Sequence, residues 1–326
     1  MNEEELLTFI SSSQKFSSLE IQGFLDHIIN QAPPLDLGLE LFDCCGTGGD
    51  QANTFNISTA AAIVAASAGA KVCKNGGRST SSISGSVDVL EALGLNLDAS
   101  LETKVNGLKQ FGLAFYSSSI SANLLAPIKQ ICRKHKLTSF LSLIGPLASP
   151  VQLYGQVIGC AKESWLKILV DLQKQLIKEG SRHNALIIYS EFFEDGSKLD
   201  ELSVCSKSQI IELGVHHQQV FDFDPRDLGL ELQPKAEIAA GLDHQTNAEI
   251  IKSLLNAQGS TPSTGKIQTV ALNAAAILYL ANKEQSQANS EFLEKINKYY
   301  KMALNNIING KAINNFNALL SLYAHD

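Results

Sequence analysis

The chain lacks paired cysteines, a basic excess and any long apolar run. Its six cysteines, Cys44, Cys45, Cys73, Cys132, Cys160 and Cys205, include no C-x-x-C pair. That argues against a zinc site built from closely spaced thiolates and reads as buried free thiols in a reducing compartment. The formal net charge is -7 over 326 residues, with no basic stripe, so no nucleic-acid partner is expected. No apolar run is long enough to cross a bilayer, so no membrane partner is expected. The N-terminus Met1-Asn2-Glu3-Glu4-Glu5 is acidic, unlike a signal peptide, and a cytoplasmic location follows as an expectation. Phosphate-binding signatures of the commonest kinds are absent too. There is no Gly-Lys-Ser/Thr, and no G-x-G-x-x-G spacing follows a strand. The seven histidines join no nucleophile motif, which leaves covalent catalysis unsupported; His216-His217 reads as a surface turn.

What is present is concentrated between residues 41 and 66. An apolar strand runs into Gly46-Thr47-Gly48-Gly49-Asp50, then into Thr54-Phe55-Asn56-Ile57-Ser58-Thr59 and an alanine-rich helix. Glycines let backbone approach a ligand closely. The N–H groups of such a loop, with the free N–H groups of a helix start, make an anion cradle. Asn56, Ser58 and Thr59 suit helix capping and could equally face the ligand.

Further along, the patterns alternate. Strands are expected at 41–45, 71–74, 113–116, 157–160 and 185–189. Helices are expected at 56–68, 87–93 with Ser86 as cap, 163–179, 246–255 and 269–281. This order predicts an α/β fold, a mostly parallel central sheet flanked by helices. Two short helical patterns lie within residues 5–30, and another covers 120–137 with the basic cluster Arg133-Lys134-His135-Lys136. They suggest a small all-helical domain from residues 1–36 and 120–148, the α/β domain taking 37–119 and 149–326. The stretch 221–232 reads as turns, and the asparagines near the C-terminus (Asn305, Asn306, Asn309, Asn314, Asn315) as an exposed helical end.

Two more groups carry chemistry. Lys74-Asn75-Gly76-Gly77-Arg78 puts cations at the carboxyl edge of the sheet, suited to a polyphosphate, and the serines from Ser79 to Ser86 extend the polar lining. Asp200-Glu201 is an adjacent carboxylate pair. Hard oxygen ligands of this kind suit Mg²⁺, which an acidic chain needs if it is to bind a polyphosphate.

Taken together, these residues resemble the anthranilate phosphoribosyltransferase family, in the class shared with pyrimidine nucleoside phosphorylases. The likeness also covers Gly85 to Gly94, Gly145-Pro146-Leu147, Leu199 to Ser203 and Leu272 to Ala276. It implies Mg²⁺-dependent transfer of phosphoribosyl from phosphoribosyl pyrophosphate to the amine of anthranilate or a related aromatic acceptor, with release of pyrophosphate. It assigns substrate binding to Gly46, Gly48, Gly49, Asp50, Asn56, Ser58, Thr59, Lys74, Gly76, Arg78 and Ser86. It assigns catalysis to Lys74 and Asp50, and metal binding to Ser58, Asp200 and Glu201. Alternatives are another nitrogenous acceptor, nucleoside phosphorolysis, or a non-catalytic binding relative.

The departures fall on the acceptor side. Where the family reads Lys-His-Gly-Asn-Arg, Asn75 and Gly77 stand for the His and the Asn. The family's His-Pro-Ala-Met becomes Ala122-Asn123-Leu124-Leu125, and its anthranilate-binding Arg becomes Cys132. Arg133 is adjacent, but one helical residue turns a side chain by about 100°. A bidentate Arg–carboxylate contact is worth ~1.5–3 kcal/mol, so weak anthranilate turnover is expected. The family forms a homodimer through helices before the glycine loop. With only two short helical patterns there, the expected homodimer has a reduced helical base.

Overall fold

The computed structural model describes residues 17–78, 84–117, 130, 134, 140–257 and 264–326. The helical pattern at 5–16, Ser79 to Ser82, most of the 120–137 helix, Ala122 to Leu125 and Cys132 lie outside the described residues.

Eight strands form one sheet: β1 (Phe42–Gly46), β2 (Val72–Gly76), β3 (Leu113–Ser117), β4 (Gly155–Gly159), β5 (Asn184–Phe192), β6 (Lys198–Leu199), β7 (Ser206–Gly214) and β8 (His217–Phe223). The spatial order is β3-β2-β1-β4-β5-β7-β8, with β6 also on β5. β1 to β5 pair in parallel, while β6, β7 and β8 are antiparallel. The chain therefore builds outward from β1 to β3, then returns to the other side of β1 for β4. The crevice at the carboxyl ends of β1 and β4 is the topological switch point, where open α/β sheets bind ligands.

The helices among the described residues are α1 (Ser18–Gln31), α2 (Ile57–Ser67), α3 (Ser86–Ala92), α4 (Leu101–Phe111), α5 (Leu141–Leu147), α6 (Glu163–Lys178), α7 (His244–Leu255), α8 (Thr264–Ala281), α9 (Asn289–Ile308) and α10 (Lys311–Tyr323). α2 shows why so many alanines follow the glycine loop. Ten of its residues are buried, from Ile57 through Ser67 with Ser58 excepted, because it lies between the sheet and α8, α9 and α10. Small side chains let these backbones approach from every side. Strand alternation divides the core. Val157, Leu186 and Ile188 face α2 and α8, whereas Ile158, Ala185 and Ile187 face α1, α5 and α6. α1 starts with a capping box, Ser17 and Glu20 exchanging hydrogen bonds. α1 and α5 touch through Phe24 and Phe140, edge to face at 5.3 Å, and both belong to the hydrophobic cluster that includes α6 and the sheet.

Several expectations need correction. β2 runs to Gly76, because its parallel register with β3 continues to the Gly76–Ser117 rung, so Lys74 lies within a strand. Ser86 does not cap α3. Gly85 holds the N-cap position, and the Asp88 carboxylate accepts its N–H at 3.0 Å. His217 is not in a surface turn. It begins β8, and its largely buried imidazole pairs with Glu212 at 2.7 Å. The stretch after Phe221 continues β8 to Phe223 before a short 3-10 helix at Pro225–Leu228. The C-terminal asparagines do not mark an exposed end. α9 and α10 bury Phe292, Tyr299, Phe316 and Tyr323, and the buried Asn306 Nδ2 donates to Ser67 Oγ on α2 at 3.2 Å. Polar Asn and Lys on the outer faces masked the apolar stripe that seats these helices.

Candidate functional site

The glycine loop leaves β1 at Gly46, and its neighbour across the β1–β4 ladder is Gly159. Neither position has room for a Cβ. One on Gly46 would stand 2.1 Å from Asp200 Oδ2, and one on Gly159 would stand 1.6 Å from the Asp200 carbonyl oxygen. The two glycines form a slot in the switch-point crevice, and Asp200 fills it. Gly46 is thus a glycine for the sake of a carboxylate rather than for direct approach of a phosphate. Gly48 and Gly49 differ. Their φ angles are +66° and +83°, and no atom lies within 4 Å of a built Cβ, so the loop curls into open space.

The turn after β6 delivers Asp200 and Glu201. Asn273 on α8 holds it, accepting the Leu202 N–H at 3.1 Å and donating to the Leu202 carbonyl at 2.8 Å. Ser190 on β5 donates to the Glu201 carbonyl at 2.8 Å. So held, Asp200 Oδ2 accepts the Gly48 N–H at 2.8 Å, and Glu201 Oε1 accepts the Ser58 N–H at 3.0 Å. These donors, one from the loop and one from the start of α2, are those the sequence reading offered to a phosphate. Glu201 Oε2 is buried without a partner. Burial, reinforced by the Asp50 charge, pushes Asp200 up to about 7. Burial also raises Glu201 well above the carboxylate range, with Asp200 and Asp50 adding to it. The pocket is thus short of positive charge.

Lys74 lies beneath these carboxylates, 2% exposed. Its Nζ donates to the Cys44 carbonyl at 2.6 Å and to Ser58 Oγ at 3.2 Å. Burial opposes its charge, but the acidic groups around it, Cys44 and Asp43 first, hold it above its ordinary value. Thr47 ties the loop to the end of β4, donating its N–H to the Gly159 carbonyl at 2.9 Å and accepting the Ala161 N–H at 3.0 Å.

The remaining expected residues spread around this centre. Asp50 adjoins Asp200, and Ser58 lies between Lys74 and Glu201. Asn56 occupies the N-cap position of α2 but makes no capping bond, exchanging hydrogen bonds with Ser84 instead. Thr59 is fully buried and its hydroxyl has no partner. Gly76 ends β2 against Ser86, whose Cβ would lie 2.9 Å from a Cβ at Gly76. Arg78 is exposed and turned away to Asp88 and Glu91 on α3, at 2.8 and 2.6 Å. The structure thus gathers Gly46, Gly48, Asp50, Ser58, Lys74, Asp200 and Glu201 at one crevice. Asn56, Gly76 and Ser86 flank it, and Arg78 stands apart.

Sequence reasoning missed Asn247, 0% exposed on α7, which donates to Ser84 Oγ at 2.7 Å. The signal was available: a lone Asn shares the inward face of α7 with Ala248, Ile251 and Leu255. It also missed the buried Asp43, which accepts the Asn75 N–H at 3.2 Å and a bond from Gln156 Nε2 at 3.2 Å.

A metal ion has a fitting donor set here. Two half-buried carboxylates, one with a buried oxygen that lacks a partner, and the Ser58 hydroxyl are hard oxygen ligands. Among the described residues no three His, Cys, Asp or Glu side chains form a complete cage. A Mg²⁺ site that shares its shell with substrate phosphates and waters requires none.

The profile of the "Glycosyl transferase family, a/b domain" matches residues 39–313. An anthranilate phosphoribosyltransferase of Bacillus pumilus is 34% identical over 267 residues, covering 82% of this chain and 75% of the relative. That of Histophilus somni is 34% identical over 304 residues, covering 92% and 83%. The crystal structure of the Thermus thermophilus enzyme aligns with a TM-score of 0.76 at 25% identity, over 99% of this chain and 96% of that one. The Saccharomyces cerevisiae enzyme, solved in complex with PRPP and Mg, shares the fold at a TM-score of 0.74 and 23% identity, over 95% and 81%. Profile, relatives and fold agree that the chain belongs to the anthranilate phosphoribosyltransferase family of glycosyl transferases.

Proposed function

We propose that this protein transfers a phosphoribosyl group from phosphoribosyl pyrophosphate to the amine of anthranilate or a related aromatic acceptor, with Mg²⁺. The observation that carries it is the pair Asp200 and Glu201, held half-buried at the switch point by the Gly48 and Ser58 N–H groups. The relatives' activity agrees with it. Ser58, Asp200 and Glu201 would hold Mg²⁺, which when bound neutralises the pyrophosphate of the donor. The exposed turn offers the Gly49 backbone N–H to the same charge, the Gly48 N–H being held by Asp200. In the reaction the acceptor nitrogen forms a bond to C1 of the ribose. The bond from C1 to the pyrophosphate oxygen breaks, and pyrophosphate departs with the electron pair. The acceptor amine then loses a proton to water. Asp50 supplies a carboxylate for the positive charge that develops at C1. Lys74, locked beneath Ser58, supplies fixed positive charge on the leaving-group side without leaving the core. The contribution is electrostatic and positional, with no covalent intermediate.

The acceptor side supports a narrower statement. Asn75 is buried with its Oδ1 unpartnered, and Gly77 is exposed, so neither of these two positions brings a cation to a carboxylate. We assign anthranilate as a weak acceptor within a class of small aromatic amines. Two units, 1–36 with 120–148 and the rest, a homodimer and a cytoplasmic location complete the proposal. The unpaired cysteines Cys44, Cys45, Cys73, Cys160 and Cys205 fit that compartment. Among the described residues no helix is long and apolar enough to cross a membrane. The test is donor-dependent pyrophosphate release over a panel of anthranilate, substituted anilines and nucleobases. Release with an aromatic amine supports the assignment. Release with nucleobases alone, or cleavage of nucleosides by phosphate, replaces it.

A further inference from the structure

We infer that Asn247, remote from the glycine loop in sequence, is a positioning residue for the donor site; this rests on the reading of that site given above. The chain of contacts has a forced direction. The Gly241 backbone N–H can only donate, and Asn247 Oδ1 accepts it at 2.8 Å. That turns Asn247 Nδ2 toward Ser84 Oγ, to which it donates at 2.7 Å. The Ser84 hydroxyl directs its single proton to Asn56 Oδ1 at 3.1 Å. Asn56 Nδ2 then donates to the Ser84 carbonyl at 3.4 Å. A backbone donor at one end and a backbone acceptor at the other fix the orientation of the Asn56 amide. One Nδ2 hydrogen and one Oδ1 lone pair remain on Asn56 for a ligand.

The same segment steadies the loop in a second way. Thr54 forms an antiparallel bridge with Ala239. The Ala240 N–H donates to the Asn53 carbonyl at 2.8 Å, and the Phe55 N–H donates to the Ile238 carbonyl at 3.3 Å. Residues 238–247 are thus the outer brace of both polar loops, 53–56 and 84–86. A buried Asn at the head of an apolar helix face costs free energy unless its bonds are made. Asn247 makes them only by ordering Ser84 and Gly241.

Asn247→Asp tests the direction directly. The carboxylate still accepts the Gly241 N–H, but it cannot donate to Ser84. The Ser84 proton turns back to it, and Asn56 Oδ1 loses its donor. Mg²⁺–phosphoribosyl pyrophosphate is titrated by calorimetry into the wild type, Asn247→Asp, Ser84→Ala, the double variant and Ser84→Thr, with a melting curve for each. The expected result is about tenfold weaker donor binding in each of the first two, the scale of one hydrogen bond. The donor KM rises to match, and kcat at saturating donor stays within about threefold. The double variant loses no more than either single one, and Ser84→Thr restores binding. Wild-type donor affinity in folded Asn247→Asp or Ser84→Ala overturns the inference, as does an additive loss of about a hundredfold in the double. Should Asn247→Asp not fold, Ser84→Ala decides alone. A wild type that binds no donor overturns the donor-site reading itself; a wild type that binds it with unaltered variants overturns only the role of Asn247.

Discussion

Gly46→Ala should disarm the site without disturbing the strand that carries it. The φ of Gly46 is outside the left-handed region, so alanine suits the backbone and only space is at issue. The new Cβ would lie 2.1 Å from Asp200 Oδ2, 2.5 Å from its Cγ and 3.0 Å from Oδ1. Ordinary contact needs more than an ångström of retreat, and the carboxylate cannot retreat and keep its 2.8 Å bond from the Gly48 N–H. Losing a hydrogen bond to a charged group costs ~1.5–3 kcal/mol, and overpacking adds ~1–3 kcal/mol. A stability loss of about 2.5–6 kcal/mol, the sum of those two costs, is expected by denaturant melt. Misplacing one carboxylate should weaken Mg²⁺-dependent donor binding by about 10- to 100-fold, or ~1.4–2.8 kcal/mol. Asp200→Ala removes the obstacle. The double variant should therefore regain most of the stability lost in Gly46→Ala and none of the donor affinity, since residues in contact couple. Wild-type donor affinity in Gly46→Ala, or additive stability losses in the double, would refute the slot.

Further outcomes follow from the same geometry. Burial and Asp50 raise Asp200 to about 7 in the folded protein, above its ordinary unfolded value; folding thus favours the protonated form, and stability present at acid pH is lost as pH rises through about 7. Melts of the unliganded protein should show that decline, with a shallower slope in Asp200→Asn; equal slopes would contradict the burial argument. Lys74→Met removes the buried cation beneath Ser58 and leaves Asp43 and Glu201 without it, so a loss of ~3–5 kcal/mol is expected in a denaturant melt; an unchanged melt would place the charge elsewhere. Asn306→Ala breaks the bond from α9 to Ser67 and should cost ~1–3 kcal/mol with unaltered donor affinity; a neutral effect would restore the exposed-end reading of this helix.

The donor half of the site was legible because its residues cluster in sequence. Gly46 to Thr59 forms one strand–loop–helix unit, and Asp200-Glu201 is a contiguous pair. The parallel sheet was legible from short apolar runs alternating with helical patterns. What could not be read came from distant packing. The need for glycine at 46 and 159 arises from Asp200, which reaches them only once β6 has folded back on β5. Lys74 read as an edge cation because Lys is rarely buried; its partners, Cys44 and Ser58, lie on other elements. The β7–β8 hairpin went unread because β8 alternates exposed and inward residues in a polar-rich run, His217-Gln218-Gln219-Val220, without a glycine turn at Val215-His216. Asn247 has no local signature beyond one polar residue on an apolar helix face.

The most direct measurement is pyrophosphate release by the purified protein supplied with phosphoribosyl pyrophosphate, Mg²⁺ and an aromatic amine, with the mass of the product determined. Release that needs all three and yields the amine carrying one phosphoribosyl group is the predicted result. It should vanish on chelation of Mg²⁺ and in Asp200→Ala. Absence of release with every amine, or release indifferent to Mg²⁺ and to Asp200, would contradict a phosphoribosyl-transfer site at the β1–β4 crevice.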